Sequence, residues 1–381
     1  MDSDKKKLLK ELKDKYEFKT NYIENFDVFK KDILEKKIVP HQVEFQAPPR
    51  GKKICWLECP YCYGLSAEDT KERLGKNRGI EILEQILKGG VKKIIFAGYA
   101  TDPLNCSYIE DLLDLTISKK AIFGFNTKAL RVSEKFLSIL DGKKIIDGSY
   151  VSLSIDAGSN ETYNKIHNVK GSSNLYDKVL KNVQHLGKIR IKNKFDLSAA
   201  YLVNIHSANS YDYEKFINDF TKAGCNLIRF TFPQQPKDIK TEEGVIPSKE
   251  EIIFYKKELQ KLKNKYESDN CSILVIDADN ENNIYNKPRT IPCYARYVYP
   301  TVGFDGWLYN CSQSSAPNFR STALGDLNKS NFWDLFYGYE TKNFESFLFK
   351  CNTKISKSGC RCDRKEHIVN SSVIESKVFK V

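Results

Sequence analysis

The chain has 381 residues, a formal net charge of +12, and 21 Tyr, 22 Phe and eleven Cys. The aromatic content excludes a disordered chain, and the length leaves room for one large domain and a smaller one around a sizeable core. No run of about 18 apolar residues occurs, which argues against a membrane-spanning helix.

The opening "MDSDKKKLLKELKDKYEF" has neither an apolar h-region nor a small-residue cleavage site, so a cytoplasmic location is expected. Two amphipathic helices, "KKKLLKELKDKYEF" and "IENFDVFKKDILEKK", make residues 1–40 an N-terminal helical extension closed by Pro40. "HQVEFQAP" alternates as a strand, and "PPRGKK" is a loop. A helix follows in "GIEILEQILKGG", with Ile80, Leu83, Ile86 and Leu87 on one face and Gly89 at its end. Strand "VKKIIFAG", helix "IEDLLDLTISKK", strand "AIFGFN" and helix "SEKFLSILDG", capped by Ser133, come next. Strand "YVSLSID" precedes helix "NLYDKVLKNVQHL", with Leu175, Val179, Val183 and Leu186 on one face. Then come strand "DLSAAYLVN", helix "YEKFINDFTKAG" and strand "NLIRFTFP". Ser248 and Glu251 form a capping box for "SKEEIIFYKKELQKLKNKY", and "SILVIDA" is a last strand.

Strands and helices alternating in this way predict an α/β fold with a parallel sheet and helical crossovers. Six barrel strands fall between 41 and 233, with "SILVIDA" added, and in an α/β barrel the active site lies at the C-terminal ends of the strands. The remainder, 287–381, reads as a small separate domain. "YARYVYPTVGFDGWLYNCSQ" holds two strand-like runs around an Asp305-Gly306 turn, and "NFWDLFYGYETKNFESFLF" reads as helix. The positive charge lies on helices beside acidic residues, as in "YKKELQKLKNKYESD", which is the pattern of a solvated face. Nucleic acid is therefore not the expected partner, and no compact patch of Arg and aromatic residues is visible.

"CWLECPYC" places Cys55, Cys59 and Cys62 at C-x3-C-x2-C directly after the first strand. Clustered cysteines in a reducing compartment point to metal rather than disulfides. Structural zinc takes four ligands, usually as two close pairs, and here there are three. A redox pair of Cys59 and Cys62 leaves Cys55 without a role. A [4Fe–4S] cluster on three thiolates keeps one iron open, and an open metal position is a reactive one. Cys106, Cys225 and Cys271 stand alone and read as small buried residues.

"CWLECPYC" resembles the signature of the radical S-adenosylmethionine (radical SAM) superfamily, and the resemblance covers about residues 41–285. It implies a partial (β/α)6 TIM-type barrel over 41–286, matching the strand count, and a catalytic [4Fe–4S] cluster on Cys55, Cys59 and Cys62, with S-adenosyl-L-methionine on the open iron. It also implies reductive cleavage of that cofactor and hydrogen abstraction from an unreactive carbon. Tyr61 resembles the residue that packs near the adenine. In "AGYATDP", Gly98, Tyr99, Ala100 and Thr101 would present backbone to the methionine amino group, and Asp102 stands at the acidic position. Ser154 and Asp156 in "SLSIDAG" fall where the family places ribose or carboxylate contacts. Asn126 and Asn204, after the third and fifth strands, are further candidates for the cofactor site. No base for the substrate is assigned.

The tail resembles the auxiliary-cluster domain called SPASM, or its shortened form twitch, in "GFDGWLYNCSQ" and "LGDL…FWDLF". This implies one auxiliary [4Fe–4S] cluster on Cys293, Cys311, Cys360 and Cys362, with Cys351 as the alternate; a structural zinc would accept the same four. The expected substrate is a small molecule or short peptide, modified in an oxidation or rearrangement step of a biosynthetic pathway. The alternatives are a ribosomal-peptide maturase, which cross-links or epimerises, and an RNA-modifying enzyme. An external electron donor such as a flavodoxin or ferredoxin is implied.

Overall fold

The computed structural model describes residues 23, 25–48, 55, 57–62, 70–98, 101–171, 173–193, 195–204, 210–232, 247–276, 293–338 and 369. In chain order these form α1 (Phe26–Leu34), β1 (Val43–Gln46), α2 (Lys76–Lys88), β2 (Lys93–Ala97), α3 (Ile109–Ser118), β3 (Ile122–Thr127) and α4 (Glu134–Gly142). There follow β4 (Tyr150–Ser154), α5 (Asn160–Ile166), α6 (Leu175–Asn193), β5 (Asp196–Leu202), α7 (Ser210–Lys222), β6 (Leu227–Thr231), α8 (Lys249–Tyr266) and β7 (Ser272–Val275). The last are α9 (Ala295–Val298), β8 (Thr301–Val302), β9 (Trp307–Tyr309), β10 (Gly325–Asp326) and α10 (Phe332–Phe336). No helix among the described residues is long and apolar enough to cross a membrane.

Two compact units result, and neither follows chain order. One lies within Met1–Gln46, Glu68–Ile95 and Asn283–Val381, the other within Ala47–Ala67 and Phe96–Asn282. The expected segments 1–40, 41–286 and 287–381 thus share elements: β1 and α2 fall in the same unit as the tail.

In the second unit β3, β4, β5, β6 and β7 pair in parallel, in that order. The helices between them are the crossovers that parallel neighbours require. This is the mixed α/β, parallel-sheet arrangement of a partial TIM-type barrel. Successive side chains alternate between faces. One face carries Phe125, Tyr201 and Phe230 against the helices, with Phe125 4.9 Å from Phe136 of α4 and Tyr201 5.1 Å from Phe216 of α7. All these rings are fully buried, or nearly so, each contributing about 2–3 kcal/mol of transfer free energy. The other face carries Asn126, Ser152 and Ser198 in one register row, and Ser154, Ala200 and Arg229 in the next. The polar row-ends at the C-terminal edge are what the site is built on.

In the first unit β1 pairs in parallel with β8, and β8, β9 and β10 continue antiparallel. The expected turn is present, with Gly306 at φ +80°, a conformation that glycine adopts without strain. Asp305 at that turn is buried and accepts from Arg320 at 2.7 and 2.9 Å and from Tyr309 at 2.8 Å. Trp333 of α10 donates from Nε1 to the Gln85 carbonyl of α2, 2.8 Å away.

Three local expectations change. "YARYV" is the short helix α9, and extended pairing starts only after Pro300, which excludes helix from the residue before it. The α2 face is rotated: Gly79, Ile82, Leu83 and Ile86 are buried, while Ile80 and Leu87 are half-buried. On α6 Tyr176, not Leu175, leads the buried stripe. In addition, α5 forms where no helix was expected, with Ser159 Oγ accepting from the Thr162 amide at 3.1 Å.

Candidate active site

The site is assembled within the second unit. Past β1, Ala47 donates its N–H to the Ala97 carbonyl at 3.0 Å, and the cysteine loop follows. A turn through Pro60 and Tyr61 is closed by the Cys62 N–H on the Cys59 carbonyl, 3.0 Å. The loop is tied to α5 by the Glu58 N–H on the His167 carbonyl, 3.1 Å. Cys55, Cys59 and Cys62 thereby line one cavity of about 210 Å³, together with Gly98, Thr101, Asp102, Asn126, Lys128 and Ser154.

Asp102 shapes the wall between β2 and β3. Its carboxylate caps the turn Pro103–Asn105 by accepting from the Leu104 N–H at 2.9 Å. It also accepts from Thr127 Oγ1 at 2.8 Å and from the Lys128 N–H at 2.6 Å. Burial pushes its pKa up, against the Lys128 and Leu104 amides, the Thr127 hydroxyl and the Lys128 charge. Gly98 is required by contact: a Cβ there would stand 1.8 Å from the Thr101 carbonyl oxygen.

Beneath the cysteines lies a charged network. Lys128 Nζ donates to Asp156 Oδ2 and to the Ser154 carbonyl, both at 3.1 Å. Asp156 also accepts from the Tyr61 hydroxyl at 2.9 Å and from the Leu202 N–H at 2.9 Å. It sits at φ +65°, a left-handed position that Asp and Asn tolerate better than most residues. Burial alone would raise its pKa; Lys128, His167, the Leu202 amide and Tyr61 outweigh that and hold it below the ordinary value of 3.8. Burial pushes the Tyr61 hydroxyl well up, and Asp156 adds to the effect.

His167 is pushed down to about 3, by burial first and Lys128 second, so its ring is neutral. Its Nε2 faces the Ile155 carbonyl at 3.1 Å, and a carbonyl only accepts, so Nε2 carries the hydrogen. Nδ1 is then the acceptor for the Cys59 thiol, 3.1 Å away, and lies 3.3 Å from the Tyr61 oxygen, whose hydrogen goes to Asp156. The Cys59 thiol is raised to about 12, by burial against the opposing pull of Lys128, and Cys55 is also raised by burial. These are protonated thiols until a metal takes the place of the proton.

The donor set fits an iron–sulfur cluster. Three thiols face one cavity beside a cation that offsets thiolate charge. Among the described residues no three Cys, His, Asp or Glu groups converge on a single ion. A cubane cluster instead takes each thiolate on a different iron.

Of the remaining expected residues, Asn126 and Ser154 line the cavity, while Asp156 lies in the network below it. Asn204 is buried at the end of β5, where Nδ2 donates to the Leu202 carbonyl at 3.1 Å; it is not part of the cavity wall. Cys293 is half-buried, and Cys311 is buried with Sγ 3.4 Å from Ser314 Oγ; both lie in the first unit. Tyr99, Ala100, Cys351, Cys360 and Cys362 lie outside the described residues. Cys106, Cys225 and Cys271 are buried. The sequence reading missed Lys128, Tyr163 and His167. Tyr163 lies in α5 and His167 is its C-cap; Ser159, of an N-cap type, is the residue that could have signalled the helix.

Residues 52–228 match the model of the Radical SAM superfamily. That stretch is similar to a radical SAM domain. No curated protein matches the sequence. Among solved structures, Streptococcus suis SuiB is 14% identical with a TM-score of 0.58, over 82% of this chain and 70% of that one. SuiB bound to its precursor peptide SuiA gives 0.56 at 14% identity, over 81% and 67%. A structure of anSMEcpe with bound AdoMet is 17% identical with a TM-score of 0.55, over 89% and 93%. At these identities the likeness is one of fold.

Proposed function

We propose that this chain is a radical SAM enzyme that reductively cleaves S-adenosylmethionine and abstracts hydrogen from an unactivated C–H bond of a small molecule or short peptide. The carrying observation is that Cys55, Cys59 and Cys62 open into one cavity at the C-terminal ends of parallel strands. When bound there, a [4Fe–4S] cluster supplies an electron and an open iron for the cofactor's amino and carboxylate groups. Gly98 keeps the wall close, Asp102 fixes the turn behind it, and Asn126 and Ser154 offer polar contacts to the cofactor. The Lys128–Asp156 pair holds Tyr61, and with it the loop, in place. An auxiliary cluster in the tail would use Cys293, Cys311 and two of Cys351, Cys360 and Cys362, passing a second electron on. A flavodoxin or ferredoxin in the cytoplasm would supply the first.

A peptide substrate processed by a maturase is the second reading. It is favoured by the fold shared with SuiB, a structure of which holds its precursor peptide.

Anaerobic reconstitution should load about eight irons per chain, four to each cluster. Dithionite with S-adenosylmethionine should then release 5′-deoxyadenosine. Replacing Cys55, Cys59 and Cys62 by Ala should abolish that release and halve the iron. Undiminished release from the triple variant refutes the function, and about four irons in the parent removes the auxiliary cluster.

A further inference from the structure

This inference rests on the proposed cluster at Cys55, Cys59 and Cys62. Tyr163 and His167 stand four residues apart, about one helical turn, so their side chains lie on the same face. Their rings meet edge-on at 4.3 Å. The His167 ring in turn touches Cys59 Sγ. Tyr163 is fully buried, and among the described residues its hydroxyl has no hydrogen-bond partner. Protein interiors seldom keep such a group, because it has lost water and gained nothing in return.

The hydroxyl keeps its proton. Burial pushes its pKa up, and Cys59, Asp156 and Asp102 push the same way against Lys128. It is therefore a donor in search of an acceptor. Its ring lies against His167, which reaches Cys59, and the two carboxylates of this corner already hold three donors each. Asp156 takes Lys128, Tyr61 and the Leu202 N–H, and Asp102 takes Leu104, Thr127 and the Lys128 N–H. Cys59 differs. Its sulfur becomes a better acceptor once it loses its proton to a metal, and an iron–sulfur cluster adds sulfides beside it. Hydrogen bonds to those sulfurs set the reduction potential.

We propose that Tyr163 donates a hydrogen bond to a sulfur at the Cys59 corner of the bound cluster, and so raises the cluster's reduction potential. The donor draws off negative charge and favours the reduced form.

Tyr163→Phe removes one oxygen and leaves the ring against His167. Parent and Y163F are reconstituted anaerobically and titrated with dithionite, following the paramagnetic resonance of the reduced cluster. The signal that shifts on adding S-adenosylmethionine identifies the three-cysteine cluster. Y163F should hold the parent's iron, show a lower midpoint potential, and lose one coupled exchangeable deuteron in D2O. An iron-replete Y163F with the parent's potential and deuterons overturns the proposal. Where Y163F does not fold, Tyr163→Leu is read in the same two ways. A parent whose reduced cluster couples to no exchangeable deuteron also overturns it. Failure of the function itself shows earlier and separately, as a parent with no iron at the three cysteines.

Discussion

Asp156→Asn is the sharpest test of the network under the cysteine loop. Asparagine keeps the shape and tolerates φ +65°, so the change removes a charge and adds no backbone strain. It leaves the Lys128 ammonium, whose side chain is 18% exposed, without its 3.1 Å counter-ion. Breaking a buried pair costs roughly 3–5 kcal/mol; water reaching the exposed fraction of Lys128 brings the expectation to about 2–4 kcal/mol. The measurement is urea unfolding of the cluster-free protein, with Lys128→Met and the double variant completing a cycle. A coupling energy of about 2 kcal/mol is expected between the two positions.

The sign with pH is fixed by the depressed pKa of Asp156. Its contribution is fully present above the unfolded value of 3.8 and is lost as pH falls through the lower folded value. The gap between parent and D156N should therefore stay constant from roughly pH 5 to 8 and close on the acid side below about 4. A D156N variant within about 0.5 kcal/mol of the parent, which is the range of ordinary surface changes, refutes the network as an anchor.

Gly98→Ala should weaken S-adenosylmethionine binding by about tenfold or more, roughly 1.4 kcal/mol, because the new Cβ collides with the Thr101 carbonyl at 1.8 Å. Equilibrium dialysis checks it, and parental affinity in a folded variant would contradict the close wall. Gly187→Ala in α6 gains about 1 kcal/mol of helix propensity but drives a Cβ to 1.9 Å from the Ala223 carbonyl. Overpacking of that kind costs about 1–3 kcal/mol, so a net loss in the urea midpoint is expected; a gain would mean that α6 and the end of α7 separate easily.

Much of the barrel was legible because its signals are local. Strand runs such as "YVSLSID" and "DLSAAYLVN" are short, apolar and bounded, and the capping box at Ser248 and Glu251 forms as its spacing implies. The cysteine spacing was equally plain. The α5 helix was missed because its seven residues carry little amphipathic pattern, only Tyr163 and Ile166 being buried. The "YARYV" run was misread because aromatic and β-branched residues fit a buried short helix as well as a strand.

What the sequence determined by itself, then, is the alternation of strands and helices and the presence of three thiols on one loop. Both depend on covalent order and on side-chain period, which neighbours along the chain set. The tertiary structure alone decided what surrounds those thiols. Lys128 comes from the end of β3, Asp156 from just past β4 and His167 from the end of α5. Their meeting depends on parallel register, which puts strand ends in one layer although 28 residues separate Lys128 from Asp156 and 108 separate Cys59 from His167. Charge and burial at Cys59 arise from that meeting, and no spacing within "CWLECPYC" encodes it.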